Sequence, residues 1–239
     1  MLSTTGGKLK IAPKEILKNY YKIKHEFEVN YSGHPLVNYI NEFKSDDNFF
    51  YKNNLDINQP IIALLPGSRL QEIKKILPVF LSITDIFESY QFVIGGIKSI
   101  DKEKYNELTK HKNVKVVFNQ TYNLLANSKA AIVTSGTASL EAAIFKVPQV
   151  VCYKTSFITY LIGKMLVNIK YISLVNLILN NKIVDELVQG ELNSNNLKNS
   201  INKILKEDNK LEMINAYNNL INMLYAENPS RKTAELIVR

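Results

Sequence analysis

Apolar and polar positions along this chain switch repeatedly between two periods. The run IIALLP before Gly67 is continuous and apolar, as in a strand buried on both faces. Residues 70–89 follow with Ile73, Ile76, Leu77 and Phe80 at helical spacing, which predicts an amphipathic helix. The same alternation continues. Strands are predicted at 92–96, 114–118, 130–136 and 148–153, with helices at 101–111, at TYNLLANS, at 137–145 and at 156–168. Before the first apolar run, Pro13 to His25 reads as a helix with proline at its start, FEVNY (27–31) as a short strand, and GHP (33–35) as a turn into a helix through Phe43. A loop is expected around Asn176 and helix for the rest. Leu197, Ile201, Ile204 and Leu205 mark one stripe, and Leu211, Ile214, Ile221 and Leu224 a second. This β-α-β order predicts an α/β fold, a doubly wound parallel sheet covered by helices.

In such sheets ligands bind at the carboxyl ends of the strands. Three segments sit where that rule points. In LLPGSRLQE (64–72), Gly67 permits a tight turn, Ser68 offers a hydroxyl, and the N–H groups of a new helix favour an anion. Arg69 is a paired donor suited to phosphate, or else a plain surface charge beside a capping serine. In TSGTASLEAA (134–143), Ser135, Gly136 and Thr137 repeat the arrangement. Glu141 lies one helical turn beyond Thr137, where a carboxylate accepts hydrogen bonds from a ribose diol or simply faces solvent. In the third segment (170–193) Asn176 falls within an apolar stretch and needs partners, structural or ligand. Glu186 and Gln189 are three apart, on one face if this piece is helical. The chain has neither G-x-G-x-x-G nor G-K-[ST], which argues against a standard dinucleotide site and a P-loop.

Composition sharpens this picture at a few points. The 239 residues make one large domain or two small ones, and 46% hydrophobic with 22% charged residues is ordinary for a globular chain. A net charge of +8 favours polyanionic partners: nucleic acid, anionic lipid or a phosphorylated substrate. The basic residues are nearly all lysine against abundant Asn and Ile, a codon-bias signature, so nucleic acid is not the expected partner. Arginine occurs only at Arg69, Arg231 and Arg239, which draws attention to Arg69. The single cysteine, Cys152, excludes an intramolecular disulfide and a cysteine zinc site and fits a reducing compartment. His25, His34 and His111 are scattered, against a histidine metal site. The most apolar region, Phe157 to Leu179, is interrupted by Lys164, Asn168, Lys170 and Asn176, so no membrane span is expected there, while peripheral contact stays open. The first residues lack the apolar core of a signal peptide.

Taken together, NYSGHPLV (30–37), LLPGSRLQEIKKILP (64–78), SGTASLEAAIFKVPQVVCYK (135–154), KYISLVNLI (170–178) and DELVQGELN (185–193) resemble the lipid-A-disaccharide synthases, inverting glycosyltransferases of the GT-B class. The motifs occur in the family's order from about residue 20 onward. The resemblance implies a Rossmann-like lobe that holds the UDP part of a donor. It implies transfer of 2,3-diacylglucosamine from UDP to 2,3-diacylglucosamine 1-phosphate, with no metal and no cofactor. It assigns Gly67, Ser68 and Arg69 to the diphosphate side and Ser135, Gly136, Thr137 and Glu141 to the second nucleotide turn. Asn176, Glu186 and Gln189 match the family's remaining polar positions, with Val175 and Asp185 standing where the family has proline.

A GT-B enzyme has two lobes, and this length accommodates one. The resemblance therefore implies a boundary scheme: 1–31 the end of a first lobe and linker, 32–193 the UDP-sugar lobe, and 194–239 helices that pack back toward the first lobe. The general base and acceptor contacts are then expected on the first lobe, with His34 a weak candidate within this chain. Implied partners are the two acylated sugars, an anionic membrane surface at the inner face of the inner membrane, a separately encoded first lobe, or further copies of the chain. Two alternatives remain at this stage: a UDP-sugar-binding module without turnover of its own, and another GT-B-like enzyme such as a UDP-N-acetylglucosamine 2-epimerase.

Overall fold

The computed structural model describes residues 3–5, 8–10, 26, 30, 32–155 and 170–238. The strands are β1 (Ser3–Thr5), β2 (Lys8–Lys10), β3 (Ile61–Leu65), β4 (Gln91–Gly96), β5 (Val114–Phe118), β6 (Ser128–Thr134), β7 (Gln149–Tyr153) and β8 (Asp185–Val188). The helices are α1 (Pro35–Asn41), α2 (Phe49–Lys52), α3 (Leu70–Leu81), α4 (Lys102–Thr109), α5 (Thr121–Ala126), α6 (Thr137–Ile144), α7 (Leu174–Leu179), α8 (Ser194–Ile204), α9 (Glu207–Leu224) and α10 (Pro229–Val238). They fall into two compact units: Lys44–Tyr217, and a smaller one of Met1–Phe43 with Asn218–Arg239.

The larger unit holds a six-stranded sheet in the order β5-β4-β3-β6-β7-β8. Every neighbouring pair is parallel. The four inner strands are apolar because both faces are covered: Ile62, Ala63, Leu64, Val93, Ile94, Ile132, Val133, Val150 and Val151 are all fully buried. Each large aliphatic side chain buried this way contributes about 1.5–3 kcal/mol. Apart from Lys129 at the exposed start of β6, the outward charges of the sheet lie on its edge strands, Lys115 in β5 and Asp185 in β8, which blunts edge pairing. Helices cover both faces. α3 packs on α4 and α8, while α6 packs on α7. The Tyr122 and Phe145 rings, 5.4 Å apart, join α5 to the end of α6. This is the expected α/β, doubly wound sheet.

From β3 the chain winds outward through β4 and β5, then returns to place β6 on the other side of β3. The winding reverses between β3 and β6, and a crevice opens at that point in such sheets. Leu65 and Val133 are register partners, so the segments after them leave the sheet side by side.

In the smaller unit β1 and β2 form an antiparallel pair. His34 caps α1 with its Nδ1, which accepts from the Leu36 N–H at 3.3 Å. The His34 N–H donates to the Leu224 carbonyl at 2.9 Å, and Thr233 Oγ1 donates to Ser32 Oγ at 2.8 Å.

Several sequence expectations need correction. The predicted helix over 70–89 ends at Leu81, followed by a single 3-10 turn at Thr84–Ile86. Ser82 and Thr84 hydroxyls bond back to the carbonyls of Val79 and Leu81, competing with the helical ladder. The expected loop around Asn176 is instead α7, capped by Ser173 Oγ and ended by Asn180 in the left-handed conformation. Residues 185–188 are a strand rather than helix: four residues with one inward-facing apolar side chain, Leu187, give too short a pattern to read. The helices expected at 13–25 and 156–168, and the strand at 27–31 apart from Asn30, lie outside the described residues.

Candidate functional site

A cleft of about 230 Å³ opens at the carboxyl ends of β3, β4 and β6. Gly67 and Ser68 line it from the first turn, and Ser135, Gly136, Thr137 and Glu141 from the second. Six of the residues singled out in the sequence thus meet in one place. Gly67 has φ +106°, and a Cβ there would approach Glu72 Oε2 to 3.0 Å. Gly136 has φ +151° and ψ −158°, a region essentially closed to other residues. Both turns lead directly into helices, α3 and α6, whose first N–H groups are unsatisfied within the helix and carry its positive dipole end.

Neither Ser68 nor Thr137 caps a helix. The N-caps are Arg69 and Gly136, neither with a side-chain cap bond, and Thr137 is the first helical residue. Both Ser68 and Thr137 are exposed at the rim. Arg69 stands beside the cleft rather than in its lining, with its side chain 81% exposed and its Nη1 3.3 Å from Glu72 Oε1. Glu141 is half-buried, and burial pushes its carboxyl above the usual carboxylate range against the opposing effect of the Tyr122 hydroxyl, 3.5 Å away.

Asn176, Glu186 and Gln189 are placed differently. Asn176 is fully buried, and its Oδ1 accepts from the N–H groups of Ile183 and Val184 at 2.8 and 3.0 Å. Its Nδ2 donates to the Val184 carbonyl and to Glu186 Oε1. Glu186 also accepts from the N–H groups of Ile172 and Ser173 and from Ser173 Oγ. Ser135 Oγ donates to the Ile172 carbonyl at 2.8 Å, joining this network to the second turn. Gln189 follows β8 with φ +52°, and its Oε1 accepts from the Thr155 N–H. Glu186 and Gln189 therefore do not share a helical face. His34 is in the smaller unit, where burial lowers its pKa and the cap occupies its Nδ1.

The cleft is also lined by Glu72, Ile97, Thr121 and Thr134, which the sequence reading passed over. Applying the strand-end rule to β4, whose GG ending precedes Ile97, would have found that side. A larger cavity of about 380 Å³ lies at the amino ends of the strands, lined by Asp56, Asp85, Glu88 and Gln91 among others. Among the described residues no group of three or more His, Cys, Asp or Glu is placed to hold a metal ion.

A family model described as lipid-A-disaccharide synthetase matches residues 9–238. The chain belongs to this family. The lipid-A-disaccharide synthase of Sulfurihydrogenibium sp. is 38% identical over 212 residues, covering 82% of this chain and 54% of that protein. The Persephonella marina synthase is 37% identical over 191 residues, covering 75% and 50%. The chain thus spans about half the length of the curated relatives it matches. Among solved structures, an Anabaena protein in complex with UDP and glucose aligns at TM-score 0.54 and 15% identity, over 83% of this chain and 54% of that one. That likeness is one of fold.

Proposed function

We propose that this member of the lipid-A-disaccharide synthetase family is the donor-binding half of a lipid-A-disaccharide synthase. It holds the UDP end of UDP-2,3-diacylglucosamine while the sugar passes to 2,3-diacylglucosamine 1-phosphate. The observation that carries this reading is the convergence of the two glycine turns, two helix N-termini and Glu141 in one cleft at the switch point of the sheet. Its volume, about 230 Å³, is below the roughly 300–1,000 Å³ typical of whole-ligand pockets, which fits a subsite for part of a larger donor.

In the inverting transfer, an acceptor hydroxyl attacks the anomeric carbon from the face opposite UDP. The new C–O bond forms as the bond to the diphosphate breaks, and UDP leaves with the electron pair. Negative charge grows on the diphosphate as this happens. The N–H groups of the two turns, the helix dipoles and Arg69 lower the energy of that charge. For Arg69 this means exchanging its exposed pairing with Glu72 for the phosphate. Glu141 accepts from the ribose diol. The proton lost by the acceptor hydroxyl goes to a general base, which we place with the acceptor contacts on a first lobe like that of the longer relatives. The acyl chains of both sugars and the +8 net charge support a setting at an anionic membrane surface.

The alternative of a UDP-sugar-binding module without turnover of its own is not favoured by the family match, and the same experiment tests it. Both readings require UDP binding. Calorimetry on the purified chain should give saturable binding, and Arg69→Ala should weaken it about tenfold, roughly 1.4 kcal/mol. A folded chain that takes up no UDP would overturn both. Adding the first lobe of a full-length relative separates them, since only the enzyme reading gains turnover.

A further inference from the structure

Thr134 closes β6, one residue before the Ser135–Gly136 turn, and it lines the cleft. Its backbone is held in the sheet opposite Cys152. Its side chain is not so held. The residue is only 7% exposed, yet Oγ1 has no hydrogen-bond partner among the described residues. The two serine hydroxyls nearby are engaged: Ser135 Oγ in the turn bonds the Ile172 carbonyl, and Ser139 Oγ in α6 the Gly136 carbonyl. The Thr134 methyl, Cγ2, faces the first turn, 3.7 Å from where a Cβ on residue 67 would stand.

A hydroxyl shut away from water without a partner destabilises the fold, and proteins rarely keep one. Valine has the same shape and none of that cost. Threonine at this position therefore needs a second state in which its hydroxyl is used. A rotation of about 120° about χ1, between staggered wells, brings Oγ1 to where Cγ2 stands and moves Cγ2 to the place of the β-hydrogen. It turns the hydroxyl from its dry pocket toward Gly67, onto the floor of the cleft between the two turns. We propose that Thr134 is a ligand-binding residue whose hydroxyl, orphaned in the free protein, rotates to donate a hydrogen bond to a bound diphosphate. The proposal rests on the reading of this cleft as a diphosphate site. It adds a donor at its centre and makes nucleotide binding relieve a local defect of the fold.

The test pairs stability without ligand against affinity. Thr134→Val removes the hydroxyl at constant shape, and Thr134→Ser keeps it. Without nucleotide, Thr134→Val should unfold at the wild-type temperature or about 2–4 °C above it. Its UDP affinity by calorimetry should fall about tenfold. Thr134→Ser should bind UDP within about twofold of wild type, because the hydroxyl is retained. Thr134→Ala gives the same loss of affinity should valine fail to pack. A lower unfolding temperature for Thr134→Val would show that the hydroxyl has a structural partner and would overturn the proposal. Unchanged UDP affinity of the valine variant, with wild type binding normally, would overturn it while leaving the cleft reading intact. A wild-type chain that binds no UDP overturns both.

Discussion

Glu141 shows how a single carboxylate reports on its surroundings. Burial raises its pKa in the folded protein, so its ionised form is disfavoured there relative to the unfolded chain. The stability it contributes is present below the unfolded glutamate pKa and is lost as pH rises through the higher folded value. Glu141→Gln removes this dependence. The variant should match or fall below wild type in unfolding temperature near pH 4 and exceed it at pH 7, as thermal scans across that range would read. A difference that stays flat with pH would refute the assignment. The same carboxylate, short of donors in the free protein, is suited to accept from a diol, so the glutamine variant should gain stability and lose UDP affinity together. The glycines act at the same scale by different means. Alanine at 67 meets both a positive φ and the Glu72 carboxylate, whereas alanine at 136 has open space and is strained by its backbone alone.

The pairing of α7 with β8 belongs to the scale of elements. Asn176 and Glu186 carry the start of α7, the 183–184 segment and the Ser135 turn in one connected set of hydrogen bonds. We read them as positioning residues. Asn176→Ala takes the side-chain acceptor from the buried Val184 N–H and a donor each from the Val184 carbonyl and Glu186, and should cost about 2–4 kcal/mol in denaturant unfolding without any ligand. Were Asn176 a ligand contact alone, stability would hold and only affinity would drop. This is where the sequence was hardest to read. The strands β3, β4, β6 and β7 are continuous apolar runs bounded by Gly and Pro, and each was legible, as were the two turns that follow β3 and β6. β8 was not, because a four-residue edge strand reading Asp-Glu-Leu-Val shares its pattern with a helix surface. Asn176 was legible as a buried polar residue in need of partners. Which partners it takes depends on β8, so missing the strand hid the network. Thr134 was hidden differently: its missing hydrogen bond is a property of the packed sheet and leaves no trace in the order of residues.

For the molecule as a whole, charge is the property that extends beyond the cleft. Lysines dominate the excess of 30 basic over 22 acidic residues. Among the described residues no helix is long and apolar enough to cross a bilayer. A peripheral encounter driven by this charge would be electrostatic and salt-sensitive. The chain should sediment with phosphatidylglycerol vesicles at low ionic strength, release as salt rises past the physiological range, and ignore phosphatidylcholine vesicles. Equal sedimentation with both lipids would remove the charge argument for a membrane setting.

The strand order carries a consequence for how the protein reaches its folded state. β3 and β6 lie side by side, yet β4 and β5 with their helices are made between them. Pairing them closes a long loop, the kind of contact that forms slowly. Until β6 inserts, the chain has only one of its two glycine turns in place and nothing for a nucleotide to bridge. A nucleotide that bridges both turns recognises the completed winding and no partly wound intermediate. By mass action, ligand at a hundred times its Kd would deepen the native state by about 2.7 kcal/mol. On the proposed reading of the cleft, a UDP-sugar would therefore favour completion of the fold as well as occupy it.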